Sequence, residues 1–124
     1  MKVLKESIAM IVVGGVVAIS TVFLILYFLE DPNMLENQRL HNIKYDLSSI
    51  EKAIEAYEQQ YKKMPGDLSE LIDKKILKVI PKDPWGVEYK YKISDKDYLI
   101  YTLGKDNKDG GDGDNKDYNN KTIF

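Results

Sequence analysis

The sequence predicts an α+β protein in which a long N-terminal helix, transmembrane in its first half and amphipathic in its second, packs on a small antiparallel β-sheet. Three observations predict this class. Residues 8–29 form one unbroken run of apolar, Gly, Ser and Thr residues. Apolar and aromatic side chains then recur at alternating steps of four and three from Ile43 to Tyr61. Finally the period drops to two in VEYKYKI, and a second short apolar stretch, YLIYTL, follows a polar turn. A chain of 124 residues holds one domain and little more.

The first element is the apolar run, IAMIVVGGVVAISTVFLILYFL. As a helix it rises about 33 Å, enough to cross a hydrocarbon core of roughly 30 Å. The alternative is a cleaved secretory signal peptide. Such a peptide has a shorter apolar region and a small-residue cleavage site, whereas this run is long and ends in YFLEDP. A retained single-pass anchor is therefore expected. Lys2 and Lys5 precede the run and Glu30 and Asp31 follow it. The positive-inside rule places residues 1–7 in the cytoplasm, residues 8–29 across the cytoplasmic (inner) membrane, and residues 30–124 in a periplasmic or extracellular domain. With Lys2, Lys5 and Glu6 giving the first 29 residues a charge of +1 and the whole chain at −2, the outer part carries about −3. A mildly acidic domain has no electrostatic footprint for nucleic acid. Without cysteine, disulfides and thiolate metal sites are excluded.

Asp31-Pro32 suits a helix start, with Asp as cap and Pro in the first turn. From Asn33 to Lys63 neither Pro nor Gly interrupts, and Ile43, Leu47, Ile50, Ile54, Tyr57 and Tyr61 draw one stripe along a helix. The opposite faces are charged. The stripe is expected to lie on the chain's own sheet, a coiled-coil seam being the alternative. Leu35 and Leu40, upstream, are candidates for contacts between subunits. The helix is expected to end near Met64-Pro65-Gly66. Asp67 and Glu70 then form a D-x-x-E capping pattern before Leu68, Leu71 and Ile72, so a short helix is expected over residues 67–75. PKDPWG marks a tight turn with Trp85 packed on the core beneath it. Val87, Tyr89, Tyr91 and Ile93 alternate with Glu88, Lys90 and Lys92, the pattern of a half-buried strand. Residues 94–97 are the turn of a hairpin whose second strand is residues 98–103.

Between Gly104 and Lys121 fall five Asp, four Gly, four Asn and four Lys. Such a stretch is either a solvated tail or a loop shaped around a cation. Asp, Asn and backbone carbonyls offer the oxygens that calcium takes, and Gly lets the backbone turn tightly enough to present them. It is no EF-hand: the D-x-[DN]-x-[DN]-G pattern fails at Lys108 after Asp106 and at Lys116 after Asp112 and Asp114.

The order of parts resembles the major pseudopilin of type II secretion systems, within the type IV pilin-like superfamily. The resemblance covers roughly residues 43–118. Ala53, Tyr57 and Pro65 match the family's helix end. IPKDPWGVEYKY matches its DPWG segment, and YTLGKDNKDGGDGDNKD its LG-x-D-x-x-x-GG loop. The resemblance implies a pilin-like fold in which a calcium loop closes the C-terminal end of the sheet. By motif, Leu103 would give its carbonyl and Asp106, Asp114 and Asp117 their carboxylates to Ca2+. Asn115 is a weaker candidate, and Asp109 and Asp112 are expected to be solvated. The N-terminus departs from the family pattern: KVLKES has no Gly ahead of the run, where a prepilin peptidase would cut, and Gly14 and Gly15 lie inside it. The family places a Glu inside the apolar stretch, whereas Glu6 stands at its border, a candidate for the same part.

The function implied is a structural subunit of a pseudopilus or pilus-like filament in protein secretion. Its partners would be further copies of itself, other pseudopilins, the inner-membrane secretion platform and the membrane. The alternative is a membrane-anchored, calcium-dependent binding module that never polymerises. An enzyme is not expected. His41 is the only histidine, and the chain has neither a Cys nucleophile nor a phosphate-binding Gly loop.

Overall fold

The computed structural model describes residues 1–29, 32–94 and 97–124, with the side chains of 28, 29, 32 and 33 excepted. The proposed Asp31 cap and the centre of the SDKD turn lie outside the described residues. The chain divides into two compact units, Met1–Leu35 and Glu36–Phe124.

Helix α1 spans Lys2–Leu29. Its most apolar 18-residue window, within Lys2–Tyr27, has a mean hydropathy of 2.7, and it is the one helix among the described residues long and apolar enough to cross a membrane. Its apolar side chains are exposed all round, as those of Ile11, Val16 and Phe23 illustrate. Two of its few polar groups turn back on the helix: Ser7 Oγ donates to the Val3 carbonyl at 2.9 Å and Thr21 Oγ1 to the Ala18 carbonyl at 2.8 Å. In hydrocarbon the second bond would leave the Thr21 hydroxyl with no need of water.

Helix α2 spans Pro32–Tyr61. It stops three residues before Met64 because Lys62 takes a left-handed backbone, φ 59°. Lys62 N–H still donates to the Glu58 carbonyl at 2.8 Å, closing the last turn. The stripe behaves as its spacing predicts. Ile43, Leu47, Ile50, Ile54 and Tyr57 are all 1% exposed or less, and Ala53 joins them. Against them pack Leu68 and Leu71, Tyr89 just ahead of the sheet, Ile100 within it, and Ile123 near the C-terminus. The stripe therefore serves the chain's own core rather than a coiled-coil seam. Leu40 also packs on this core, whereas Leu35 is 52% exposed.

Helix α3 is shorter than the spacing suggests, Ser69–Asp73. The capping pair nevertheless works in both directions. The Asp67 carboxylate accepts the backbone N–H groups of Ser69 (2.7 Å) and Glu70 (3.3 Å), and Glu70 Oε1 accepts that of Gly66 at 2.9 Å. Glu70 also accepts the Tyr57 hydroxyl, which pins α3 to the end of α2.

Three antiparallel strands follow, β1 (Lys90–Ser94), β2 (Asp97–Thr102) and β3 (Tyr118–Asn119), in the order β1-β2-β3. In the hairpin Tyr91 faces Ile100 and Ile93 faces Tyr98. The first strand begins three residues later than the alternation from Val87 suggests. Val87 and Glu88 instead close the DPWG turn: the Val87 carbonyl accepts the Asp83 N–H, the Val87 N–H donates to the Asp83 carboxylate, and Glu88 bridges to Lys82. Ile93 is 46% exposed, since β1 runs past the core at its far end. The third strand lies inside the segment read from sequence as loop. It pairs Tyr118 with Thr102 and Asn119 with Tyr101.

Candidate metal centre

The loop between β2 and β3 is held at its base by the DPWG turn. Pro84 starts that turn, and Gly86 (φ 82°) ends it with its N–H on the Asp83 carbonyl at 2.9 Å. Asp83 is 4% exposed, and its carboxylate accepts the N–H groups of Trp85 (3.0 Å) and Val87 (2.8 Å). Its other oxygen accepts the hydroxyl of buried Thr102. Thr102 Oγ1 in turn accepts the N–H of Gly104 at 3.3 Å. The turn, the end of β2 and the start of the loop thus share one chain of hydrogen bonds. The Trp85 ring packs on the core as its place in the turn predicts, with its buried Nε1 lacking a hydrogen-bond partner.

Past Leu103 the chain reverses at Gly104, whose φ is 67°. A Cβ there would stand 2.6 Å from the Asn115 carbonyl carbon and 2.8 Å from the Asp114 carbonyl oxygen. Only glycine lets the outgoing and returning strands of the loop touch. Lys105 N–H then donates to the Asp114 carbonyl at 2.8 Å, clamping the two limbs together. Gly111 meets the same returning limb: a Cβ would be 2.6 Å from the Asn115 carbonyl oxygen. A single 3-10 turn, Gly113–Asn115, leads back toward β3. The segment is a closed loop with defined backbone contacts, not an extended tail.

The residues singled out by motif occupy different stations in this loop. Leu103 follows directly on β2 and is half-buried. Asp106 is exposed, and its carboxylate accepts the N–H of Lys108 at 3.2 Å. Asp114 is ion-paired with Arg39 of α2. Asp117 accepts the N–H of Gly110 on Oδ2 at 2.8 Å, while its Oδ1 is buried without a partner. Asn115 is half-buried, and Asp109 and Asp112 are exposed. Among the described residues, no three Asp, Glu or His side chains come together as a metal cluster by themselves. A hard cation here would therefore draw on backbone and amide oxygens beside its carboxylates. The orphaned Asp117 oxygen is the feature that suits one. A buried carboxylate oxygen with nothing to accept costs free energy, and a cation removes that cost.

Arg39 is the residue that sequence reasoning passed over. Its guanidinium lies 5.9 Å from the Trp85 ring centroid as well as on Asp114, so α2, the DPWG turn and the loop meet at one side chain. Its signal was present: it is the sole arginine in a chain whose other seventeen cationic side chains are lysines. A planar guanidinium stacks and pairs at once, which an ammonium does less well. Asn120 makes a second tie. Its side chain accepts the Ile100 N–H at 3.0 Å and donates to Glu51 of α2 at 2.8 Å.

A sheet of three short antiparallel strands laid on an amphipathic helix, with a closed acidic loop between its last two strands, is a pilin-like arrangement. The chain belongs to the family described as Type II secretion system (T2SS), protein G, whose model matches residues 33–121. It is also similar to the Type II secretion system core protein G of Vibrio cholerae serotype O1 (strain ATCC 39315 / El Tor Inaba N16961), with 43% identity over 49 residues. That stretch is 38% of this chain and 34% of the relative, so the match spans about a third of the relative's length.

Proposed function

We propose that the protein is a structural subunit of a pseudopilus or pilus-like filament in protein secretion, with calcium holding its C-terminal loop. The observation that carries the filament reading is α1: a helix apolar on every side ahead of a domain of the protein G family. Such a helix is at home in lipid or packed against other apolar helices, copies of itself included. Its N-terminus would lie in the cytoplasm, with lysines on that side, and the domain would lie outside. The work of such a subunit is mechanical: α1 helices pack together, and the domains form the surface. Its partners would be further copies, other pseudopilins and the inner-membrane secretion platform.

Calcium is the cofactor this reading assigns. Leu103 would contribute its carbonyl, and Asp106, Asp114 and Asp117 their carboxylates, with Asn115 as a further oxygen. The partnerless Asp117 oxygen supports the assignment. Bound calcium would supply charge neutralisation to the acidic loop. The chain's own part is to hold the loop closed through Gly104, Gly111 and the Lys105 clamp. A ligand that binds only the folded state at a hundred times its dissociation constant stabilises by about 2.7 kcal/mol. The full chain in detergent micelles should melt higher in calcium than in chelator, and equal midpoints would remove calcium from the account. Electron microscopy of the protein in membranes tests the filament. Single membrane-tethered particles under conditions that assemble other pseudopilins would favour a non-polymerising module.

A further inference from the structure

We infer that Arg39 is an internal counter-ion that competes with the bound cation for Asp114, and so sets how much calcium the loop requires. The inference rests on the calcium reading above and concerns the same loop.

The two inner carboxylates of the loop are in contrasting states. Asp117 gives one oxygen to the Gly110 N–H and leaves the other buried and unanswered. Asp114 is already answered, by a cation that the fold itself delivers from 75 residues away. The backbone at Asp114 is fixed independently, since its carbonyl accepts the Lys105 N–H at 2.8 Å. Exchange of partners at Asp114 therefore needs only a side-chain rotation. Both side chains are accessible enough to exchange, at 34% exposure for Arg39 and 38% for Asp114. Once released, the guanidinium keeps its place over Trp85, 5.9 Å from the ring centroid, so the displaced cation is not left without a partner.

The consequence is a trade. Without calcium, Arg39 neutralises Asp114 and holds the loop against α2. With calcium, each ion that takes Asp114 must first displace the guanidinium, which weakens its apparent affinity. Removing the guanidinium should act in opposite directions on the two states.

The test uses the full chain in detergent micelles, calcium chloride as the probe, and Trp85, the sole tryptophan, as an optical reporter beside the exchange. In chelator, Arg39→Gln should melt below wild type. In saturating calcium the gap should close, and calorimetric titration should give the variant a calcium dissociation constant about two- to fivefold lower, the span that a partly exposed ion pair allows. Arg39→Lys, which keeps the charge and loses the planar fork, should fall between. Wild type that binds calcium together with an R39Q variant that binds it equally or more weakly overturns the competition and leaves the calcium reading standing. Wild type that binds no calcium overturns both. If R39Q unfolds in chelator, return of native Trp85 emission on adding calcium supports the exchange, and failure to return counts against it.

Discussion

Asp46 holds its charge at a cost. It lies on α2, half-buried, with the Tyr89 hydroxyl donating to its Oδ2 at 3.0 Å. Burial raises its pKa above the usual carboxylate value, the Tyr89 hydrogen bond pulls it part of the way back, and the Asp83 charge pushes it up again. A carboxyl whose folded pKa is raised destabilises the fold once it ionises, so the penalty is absent in acid and grows as pH rises through the carboxylate range. Asp46→Asn keeps an acceptor for Tyr89 and discards the charge. The variant should melt at or above the wild-type temperature at pH 7, with the difference vanishing as pH falls below the carboxylate range. Glu70 has the opposite sign. The Tyr57 hydroxyl and then the Gly66 N–H lower its pKa, so its contribution is present above its ordinary value and is lost as pH falls through the lowered one. At Gly104 the constraint is steric. Gly104→Ala puts a Cβ 2.6 Å from the Asn115 backbone at a left-handed φ of 67°. The left-handed backbone alone costs about 1–2 kcal/mol, and the clash adds to it. Denaturant titration should show at least that loss.

Among the elements, α2 carries the core. Leu47 is fully buried, and Leu47→Ala should cost about 2–5 kcal/mol, read as a lower midpoint in thermal or urea unfolding. That helix was legible because its apolar steps of four and three admit only one period. The hairpin was legible for the same reason at period two, although its first residues went to the DPWG turn, where Asp83 outcompetes the ladder for the Val87 N–H. Strand β3 was not legible. Tyr118 and Asn119 have no pattern of their own in a run of Asp, Gly, Asn and Lys, and they become a strand only because Thr102 and Tyr101 lie alongside. The same holds for the Arg39–Asp114 pair. Composition reports that the arginine is unique, but a partnership across 75 residues exists only after α2 and the loop have docked. The acidic residues of the candidate site were readable by motif. Which of them has a free oxygen was not, because that depends on where the Gly110 N–H points.

For the whole molecule, the apolar helix decides the environment. Replacing Val13 and Val17 by Arg adds about 2.5–3.5 kcal/mol each to the cost of a central transmembrane position. The doubly substituted chain should lose resistance to alkaline carbonate extraction from membranes. If the domain's own packing is independent of that helix, the Trp85 emission of the same variant should be unchanged. In the filament proposed above, many copies would be gathered side by side, which brings a hazard of its own. The outer rim of β1 has no neighbouring strand among the described residues, and two such rims could zip together into a continuous sheet. Lys90 and Lys92 stand on that rim, with the Lys92 ammonium 5.1 Å from the Tyr101 ring centroid. Their like charges make rim-to-rim zipping unfavourable, which would keep crowded domains from fusing sideways.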